Sequence, residues 1–255
     1  MWDPAVYHRY GSERARPFFD LIAQVGADQP GTVTDLGCGP GELTGTLAGR
    51  WPDATIVGVD SSPEMIAKAR SLGTPVDFRI GDVRDWRPSA DIGVVVTNAT
   101  LQWVPEHREL LTRWAAELPS GAWIAMQVPG NFDAPSHRAL REVARSAPFA
   151  AAVGEVVREA PVDDPAGYAA LLTGVGAKVN AWETTYVHLL STDGGNPVLR
   201  WMEGTALRPV EAALDEDAWQ RFRVVLGEKL AAAYPVRHGL VPFEFRRVFM
   251  VAETA

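Results

Sequence analysis

The run Asp35-Leu36-Gly37-Cys38-Gly39-Pro40-Gly41-Glu42 limits what this chain can fold into more than any other segment. It lies between a short β-rich stretch, Thr32 to Leu36, and a stretch with helical spacing, Glu42 to Trp51. Glycines at 37, 39 and 41 allow a turn that other residues resist and let the backbone approach a ligand closely. Such a turn sits at the carboxyl end of a strand, where open α/β sheets bind their ligands. The same rhythm continues beyond it. Strands are predicted over Ala54 to Asp60, Val76 to Ile80, Asp91 to Thr97 and Ala122 to Val128. Helices are predicted over Pro63 to Leu72, with Ser62 as cap, and over Pro105 to Leu118. Strands alternating with helices imply βαβ units and a mainly parallel sheet, an α/β fold of the Rossmann-like kind. The apolar run Val94-Val95-Val96 suits a sheet covered on both faces.

The flanks are less regular. Arg14 to Val25 has one apolar helical side, formed by Phe18, Leu21, Ile22 and Val25. Residues 135–177 read as helical and Ala-rich, Val179 to Leu190 as a long strand, 196–233 as broken helix and Phe245 to Ala252 as the last strand. We therefore expect one domain over 1–255: a cap segment (1–29), a ligand-binding core (30–130), and helical insertions (131–178 and 191–244) that form a lid over the substrate.

Composition removes several alternatives. The chain has 255 residues and a net charge of −8, with only Lys68, Lys178 and Lys229 among its 24 basic residues. Nucleic-acid binding needs a basic surface, so no such partner is expected. A single Cys gives neither a disulfide framework nor a paired-Cys metal site. No apolar stretch approaches the roughly 20 residues that span a bilayer. Asp3, His8, Arg9 and Glu13 interrupt any signal-like apolar run, so the expected location is the cytosol. The predominance of Arg over Lys has a bland source, the codon bias of a GC-rich genome. Its functional reading is that some arginines clamp an anion with their planar fork.

The acidic residues near the glycine turn define the ligand. The turn lacks the Lys and the spacing of a phosphate loop. The third glycine slot of a dinucleotide fingerprint is held by Glu42, whose charge would repel a pyrophosphate at the helix start. Asp60 ends the second strand roughly 20 residues on, where a carboxylate can accept from a ribose diol. Asp82 and Val83 follow the third strand, where an acid can accept from an exocyclic amine and a backbone N–H can meet a ring nitrogen. Asp35, Asp60 and Asp82 at three successive strand ends describe a pocket for a cationic nucleoside without phosphates. S-adenosylmethionine is such a molecule.

Asp35 to Gly41, Asp60, Asp82-Val83 and the run Asn98-Ala99-Thr100-Leu101-Gln102-Trp103 together resemble the class I S-adenosylmethionine-dependent methyltransferases over about residues 30–130. A closer resemblance covers the whole chain. Trp2-Asp3-Pro4 with Tyr7, Arg14-Ala15-Arg16-Pro17, Gln127-Val128-Pro129-Gly130-Asn131, Trp201 to Pro209 and Arg246 to Ala252 look like the trans-aconitate 2-methyltransferase family. The resemblance implies a seven-stranded sheet with its last strand antiparallel. It also implies methylation of a trans-aconitate carboxylate to a monomethyl ester. By this reading Asp35, Gly37, Cys38, Gly39, Gly41, Asp60, Ser61, Asp82, Val83 and Asn98 hold the cofactor. The sequence departs from the family near its end, where Glu244 stands at a position at which an Arg is expected. That weakens Arg246 as a clamp.

A carboxylate acceptor needs no general base, because an unperturbed carboxyl has a pKa near 4 and is ionised at neutral pH. No catalytic acid or base and no metal is therefore expected. His8, His107, His137, His188 and His238 form no evident dyad. The acceptor's other carboxylates call for cations, and the candidates are Arg14, Arg208 and Arg246. Tyr7, Tyr10, Trp103, Gln127 and Trp201 are further candidate substrate contacts. A phenol or amine acceptor, or a non-catalytic cofactor-binding module, stays open at this point. The oligomeric state is not set by the sequence; a monomer would suffice.

Overall fold

A computed structural model describes residues 15–157 and 161–255. Two compact units make it up. The first holds the described residues up to Pro129 together with Val162–Thr184 and Arg247–Ala255; the second holds Gly130–Pro161 and Thr185–Arg246.

The first unit opens with α1 (Arg16–Ile22), which buries Phe18, Leu21 and Ile22. There follow β1 (Thr32–Leu36), α2 (Glu42–Arg50), β2 (Thr55–Asp60), α3 (Pro63–Ser71), β3 (Val76–Ile80), β4 (Ile92–Asn98), α4 (His107–Glu117) and β5 (Trp123–Pro129). After the second unit's α5 (Pro135–Ala144) and α6 (Ala150–Val153) come α7 (Pro165–Thr173), in the first unit, and β6 (Lys178–Ser191). The chain continues through α8 (Pro197–Glu203), α9 (Arg208–Ala213) and α10 (Glu216–Ala233) to β7 (Leu240–Glu253). The sheet order is β3-β2-β1-β4-β5-β7-β6. Strands β1 to β5 pair in parallel, and β7 runs antiparallel to β5, as the family resemblance implies. The order reverses between β1 and β4, and this is the switch point at which such sheets bind ligands.

The central strands are apolar because both faces are covered. Val94, Val95 and Val96 have no exposed surface, and β1 is buried throughout. Trp114 of α4 is fully buried and meets Trp86 edge to face at 5.6 Å. At α3 the expected cap is present: the Met65 N–H donates to Ser62 Oγ at 3.3 Å, and Pro63 takes the first helical position.

Several boundaries differ from expectation. The helix expected from Pro105 starts at His107, because residues 101–103 form a 3-10 turn and Val104, preceding the proline, is extended. The helical stretch 135–177 is three helices. The last of them starts at Pro165, where Asp164 Oδ1 accepts from the Gly167 N–H at 2.8 Å. The final strand begins at Leu240 rather than Phe245. Its early residues alternate: Val241, Phe243 and Phe245 are buried, whereas Pro242, Glu244 and Arg246 line a cavity of the second unit.

The second unit has its own core, which includes Leu140, Val143, Met202, Phe222, Leu226 and Phe243. Phe149 meets Phe222 edge to face at 5.0 Å. Phe222→Ala is expected to lower the unfolding free energy by about 3–5 kcal/mol, read from urea denaturation. A loss below about 1 kcal/mol would show that the ring is not packed as described.

Candidate functional site

The glycine turn is held by hydrogen bonds from the neighbouring strand. The N–H groups of Gly37 and Cys38 both donate to the Val59 carbonyl, at 2.7 and 3.0 Å. Gly37 has φ of 82°, and a Cβ there would lie 2.0 Å from Thr100 Oγ1. Glycine is needed at this position because another segment of the protein, after β4, fills the space. Gly39 differs: no atom lies within 4 Å of where its Cβ would be. Its glycine is required by the left-handed φ of 55° rather than by a neighbouring side chain.

Asp60 ties the turn to the end of β2. Its Oδ2 accepts from the Gly39 N–H and its Oδ1 from the Ser62 N–H, each at 2.9 Å. A carboxylate has about four acceptor sites, so each oxygen keeps a further lone pair for a hydroxyl. Asp35 is buried at the end of β1, where its Oδ2 accepts from Thr44 Oγ1 at 2.6 Å. Burial pushes its pKa up to about 7. The Thr44 hydrogen bond opposes that rise and the charge of Asp60 adds to it. Cys38 turns its thiol into a small core with Ile66, Ala69 and Phe78. Burial, Asp35 and Asp60 raise its pKa, which disfavours the thiolate, and the thiol donates to the Gly39 carbonyl at 3.7 Å.

A cavity of about 470 Å³ adjoins this turn, lined by Gly37, Asp60, Ser61, Asp82, Val83 and Trp103, among others. Of the three acids expected at successive strand ends, Asp60 and Asp82 line this cavity, whereas buried Asp35 does not. Asp82 does not present a free carboxylate there. Arg84 forks onto it, with Nη2 at 2.6 Å from Oδ2 and Nε at 2.9 Å from Oδ1. That side-chain hydrogen bond draws the Asp82 pKa down to about 2. The pair is partly exposed, so it holds little energy and can open to another donor. Arg84 and Thr100 also line the cavity, and neither was anticipated from the sequence. The position of Arg84 two residues after Asp82 was the available signal.

Asn98 ends β4 and lies in register beside Gln127 of β5, which continues two residues further, to Pro129. Gln127 is 1% exposed. Among the described residues, neither amide atom of Gln127, nor Asn98 Oδ1, has a hydrogen-bond partner. Buried polar groups are usually paired, so these atoms mark a place where a further partner belongs.

The substrate candidates divide among several places. Trp103 is half exposed and shares the cavity with Asp60 and Asp82. Within the second unit, Arg246 lines a different cavity of about 480 Å³ with Arg237, Tyr234 and Asn131, and its Nη1 donates to the Gly130 carbonyl at 3.0 Å. Trp201 packs against the core of that unit and stacks on buried His188, ring centroids 4.7 Å apart. Arg208 is exposed at the start of α9 and lines neither cavity. Tyr7, Tyr10 and Arg14 lie outside the described residues.

Comparison with known proteins decides the family. A family profile described as a methyltransferase domain matches residues 33–121. A trans-aconitate 2-methyltransferase of Mycobacterium sp. (strain KMS) is 56% identical over 100% of both chains. The chain belongs to the trans-aconitate 2-methyltransferase family. The relative of that name from Rhodococcus jostii (strain RHA1) is 54% identical over 99% of both chains, and that from Mycobacterium tuberculosis (strain ATCC 25177 / H37Ra) is 51% identical over 99% of this chain and 97% of its own. Solved structures share the fold at low identity. A methyltransferase of unassigned substrate from Bacillus halodurans gives a TM-score of 0.60 at 12% identity, covering 93% of this chain and 98% of that one. A plantazolicin methyltransferase with SAH bound gives 0.54 at 15%, covering 99% and 88%. In this member of the trans-aconitate 2-methyltransferase family, Asp35 makes stability depend on pH. Its native pKa of about 7 exceeds its ordinary value of 3.8. Between these values the native state keeps a proton that the unfolded chain has lost, so stability falls as pH rises. Asp35→Asn removes this fall, and the melting temperature of wild type is expected to drop relative to the variant from pH 5 to pH 8. Parallel curves would show that Asp35 is not perturbed.

Proposed function

We propose that the protein is a cytosolic S-adenosylmethionine-dependent O-methyltransferase that converts a carboxylate of trans-aconitate to a monomethyl ester. The observation that carries this reading is full-length identity of 56% with a relative of that name. The cavity chemistry agrees with it. Asp60 and Asp82 suit hydroxyls, an amine and a cation, and the open face of Gly39 suits close approach of a ligand. Among the described residues no helix is long and apolar enough to cross a membrane, and no group of three or more His, Cys, Asp or Glu could hold a metal ion.

When bound, S-adenosylmethionine supplies a methyl group on a cationic sulfur, open to in-line attack. The protein's part is to bind and align. Asp60 accepts from the ribose hydroxyls while keeping the turn in place. Asp82 and the Val83 N–H take the adenine edge, and Ser61 borders it. Gly37, Cys38, Gly39 and Gly41 shape the turn beside the amino-acid part, with Asp35 beneath it. Asn98 and Gln127 offer buried amides side by side on β4 and β5. The acceptor arrives already ionised, so no residue has to remove a proton. Holding it about 3 Å from the methyl carbon supplies most of the acceleration. In the transfer the C–O bond would form as the C–S bond breaks, with the C–S electron pair left on sulfur. Arg208, Arg246 and Arg14 are the proposed partners of the acceptor's remaining carboxylates, with Tyr7, Tyr10, Trp103 and Trp201 as further contacts.

Isotopically labelled methyl transfer to trans-aconitate tests this reading. The labelled product is expected to be released by mild base, as an ester is. A base-stable product would indicate a phenol or amine acceptor, and binding of cofactor without turnover would indicate a binding module. Asp60→Ala is expected to weaken S-adenosylhomocysteine binding by at least about 1.5–3 kcal/mol, the cost of losing hydrogen bonds to a charged acceptor. Calorimetric titration measures it, and unchanged affinity would remove Asp60 from the site.

A further inference from the structure

His107 is the first residue of α4 and is 4% exposed. Both ring nitrogens are engaged. Nδ1 lies 3.0 Å from the Val104 carbonyl, and Nε2 lies 3.0 Å from the Tyr168 hydroxyl. The direction of each hydrogen bond follows from chemistry. A carbonyl only accepts, so Nδ1 carries the proton. The Asp163 N–H only donates, and it meets the Tyr168 oxygen at 3.3 Å, which leaves the phenol proton for Nε2. One neutral tautomer therefore satisfies every group. Burial lowers the His107 pKa and so favours that neutral form.

The far end of this chain of hydrogen bonds lies at the cavity. Trp103, Val104 and Pro105 line it together with Asp60 and Asp82. Trp103 is 53% exposed, so packing alone does not fix its ring. The backbone that carries it is held by the Trp103 and Val104 N–H groups, which donate to the Thr100 and Leu101 carbonyls at 3.0 Å, and at its exit by the Val104 carbonyl, which accepts from both the His107 ring and the His107 N–H, the latter at 3.1 Å. A leucine would fill the space of the imidazole without bracing the wall. Tyr168, fully buried, offsets the desolvation of Nε2 and lets the ring stay inside.

We propose that His107 is a positioning residue for methyl transfer: its Nδ1–H holds the Val104 carbonyl and so sets the Trp103–Pro105 wall against the nucleoside. This rests on the reading of the cavity as the S-adenosylmethionine pocket.

Two variants separate positioning from packing. In His107→Asn the side-chain amide nitrogen takes the place of Nδ1, so the brace to Val104 is kept. In His107→Gln the amide reaches the Nε2 position, so the contact with Tyr168 is kept and the brace is lost. Calorimetric titration of the full chain with S-adenosylhomocysteine is expected to show His107→Asn within about twofold of wild type and His107→Gln weaker by about three- to tenfold. The Michaelis constant for S-adenosylmethionine should rise in parallel, with that for the acid unchanged. Equal affinities for the two variants, or the reverse order, would overturn the proposal. Tyr168→Phe keeps the imidazole and guards against a folding artefact. It should lower the melting temperature and leave affinity within about twofold. A loss as large as that of His107→Gln would place the effect in α7 packing and also overturn the proposal. If wild type itself fails to bind S-adenosylhomocysteine, the cavity assignment falls and the proposal with it; binding by wild type with no difference among the variants removes the brace alone.

Discussion

A single carboxylate at the end of β2 holds the turn that leaves β1. Asp60 accepts from the Gly39 and Ser62 backbones, and so joins the glycine turn to the start of α3. The turn can take that shape only because β1 and β2 lie in register and because Gly37 leaves room for Thr100, which follows β4. Three strand ends thus meet over one short turn.

The electrostatics follow from this geometry. The net charge of −8 says little about what the protein binds, because local placement decides it. Asp60 and Asp82 line the first cavity, and buried Asp35 lies close enough to Asp60 for their charges to interact. Arg84 tempers that field by pairing with Asp82 at the rim. The arginines of the second unit are placed differently. Arg246 and Arg237 line a cavity that also holds Asp133 and Glu244, which leaves that space mixed in charge. Glu244 already weakened the case for Arg246 in the sequence, and its side chain does share this cavity.

Much of the first unit was legible in the sequence because local rules and burial agree there. The βαβ rhythm, the Ser62-Pro63 cap and the apolar β4 all reflect short-range chemistry that no tertiary contact opposes. Legibility fell where tertiary contacts override local signals. Pro105 reads as a helix start, yet Val104 is extended and His107 binds its carbonyl, so the helix begins two residues later. The last strand is expected from Phe245, yet β7 begins at Leu240 because alternate residues fill the core of the second unit. Trp201, a candidate contact, stacks on His188 beside that core.

The sequence by itself determined the α/β architecture, the glycine turn and the acids that follow it, because each depends on neighbours a few residues away. Only the tertiary structure decided how those acids are used. It sets Asp60 on the Gly39 and Ser62 N–H groups, covers Asp82 with Arg84, pairs buried Asp35 with Thr44, and links Val104 to Tyr168 through His107. Some of these partners are close in the chain and others far apart, and in each case it is the packing of strands and helices that brings the side chains together.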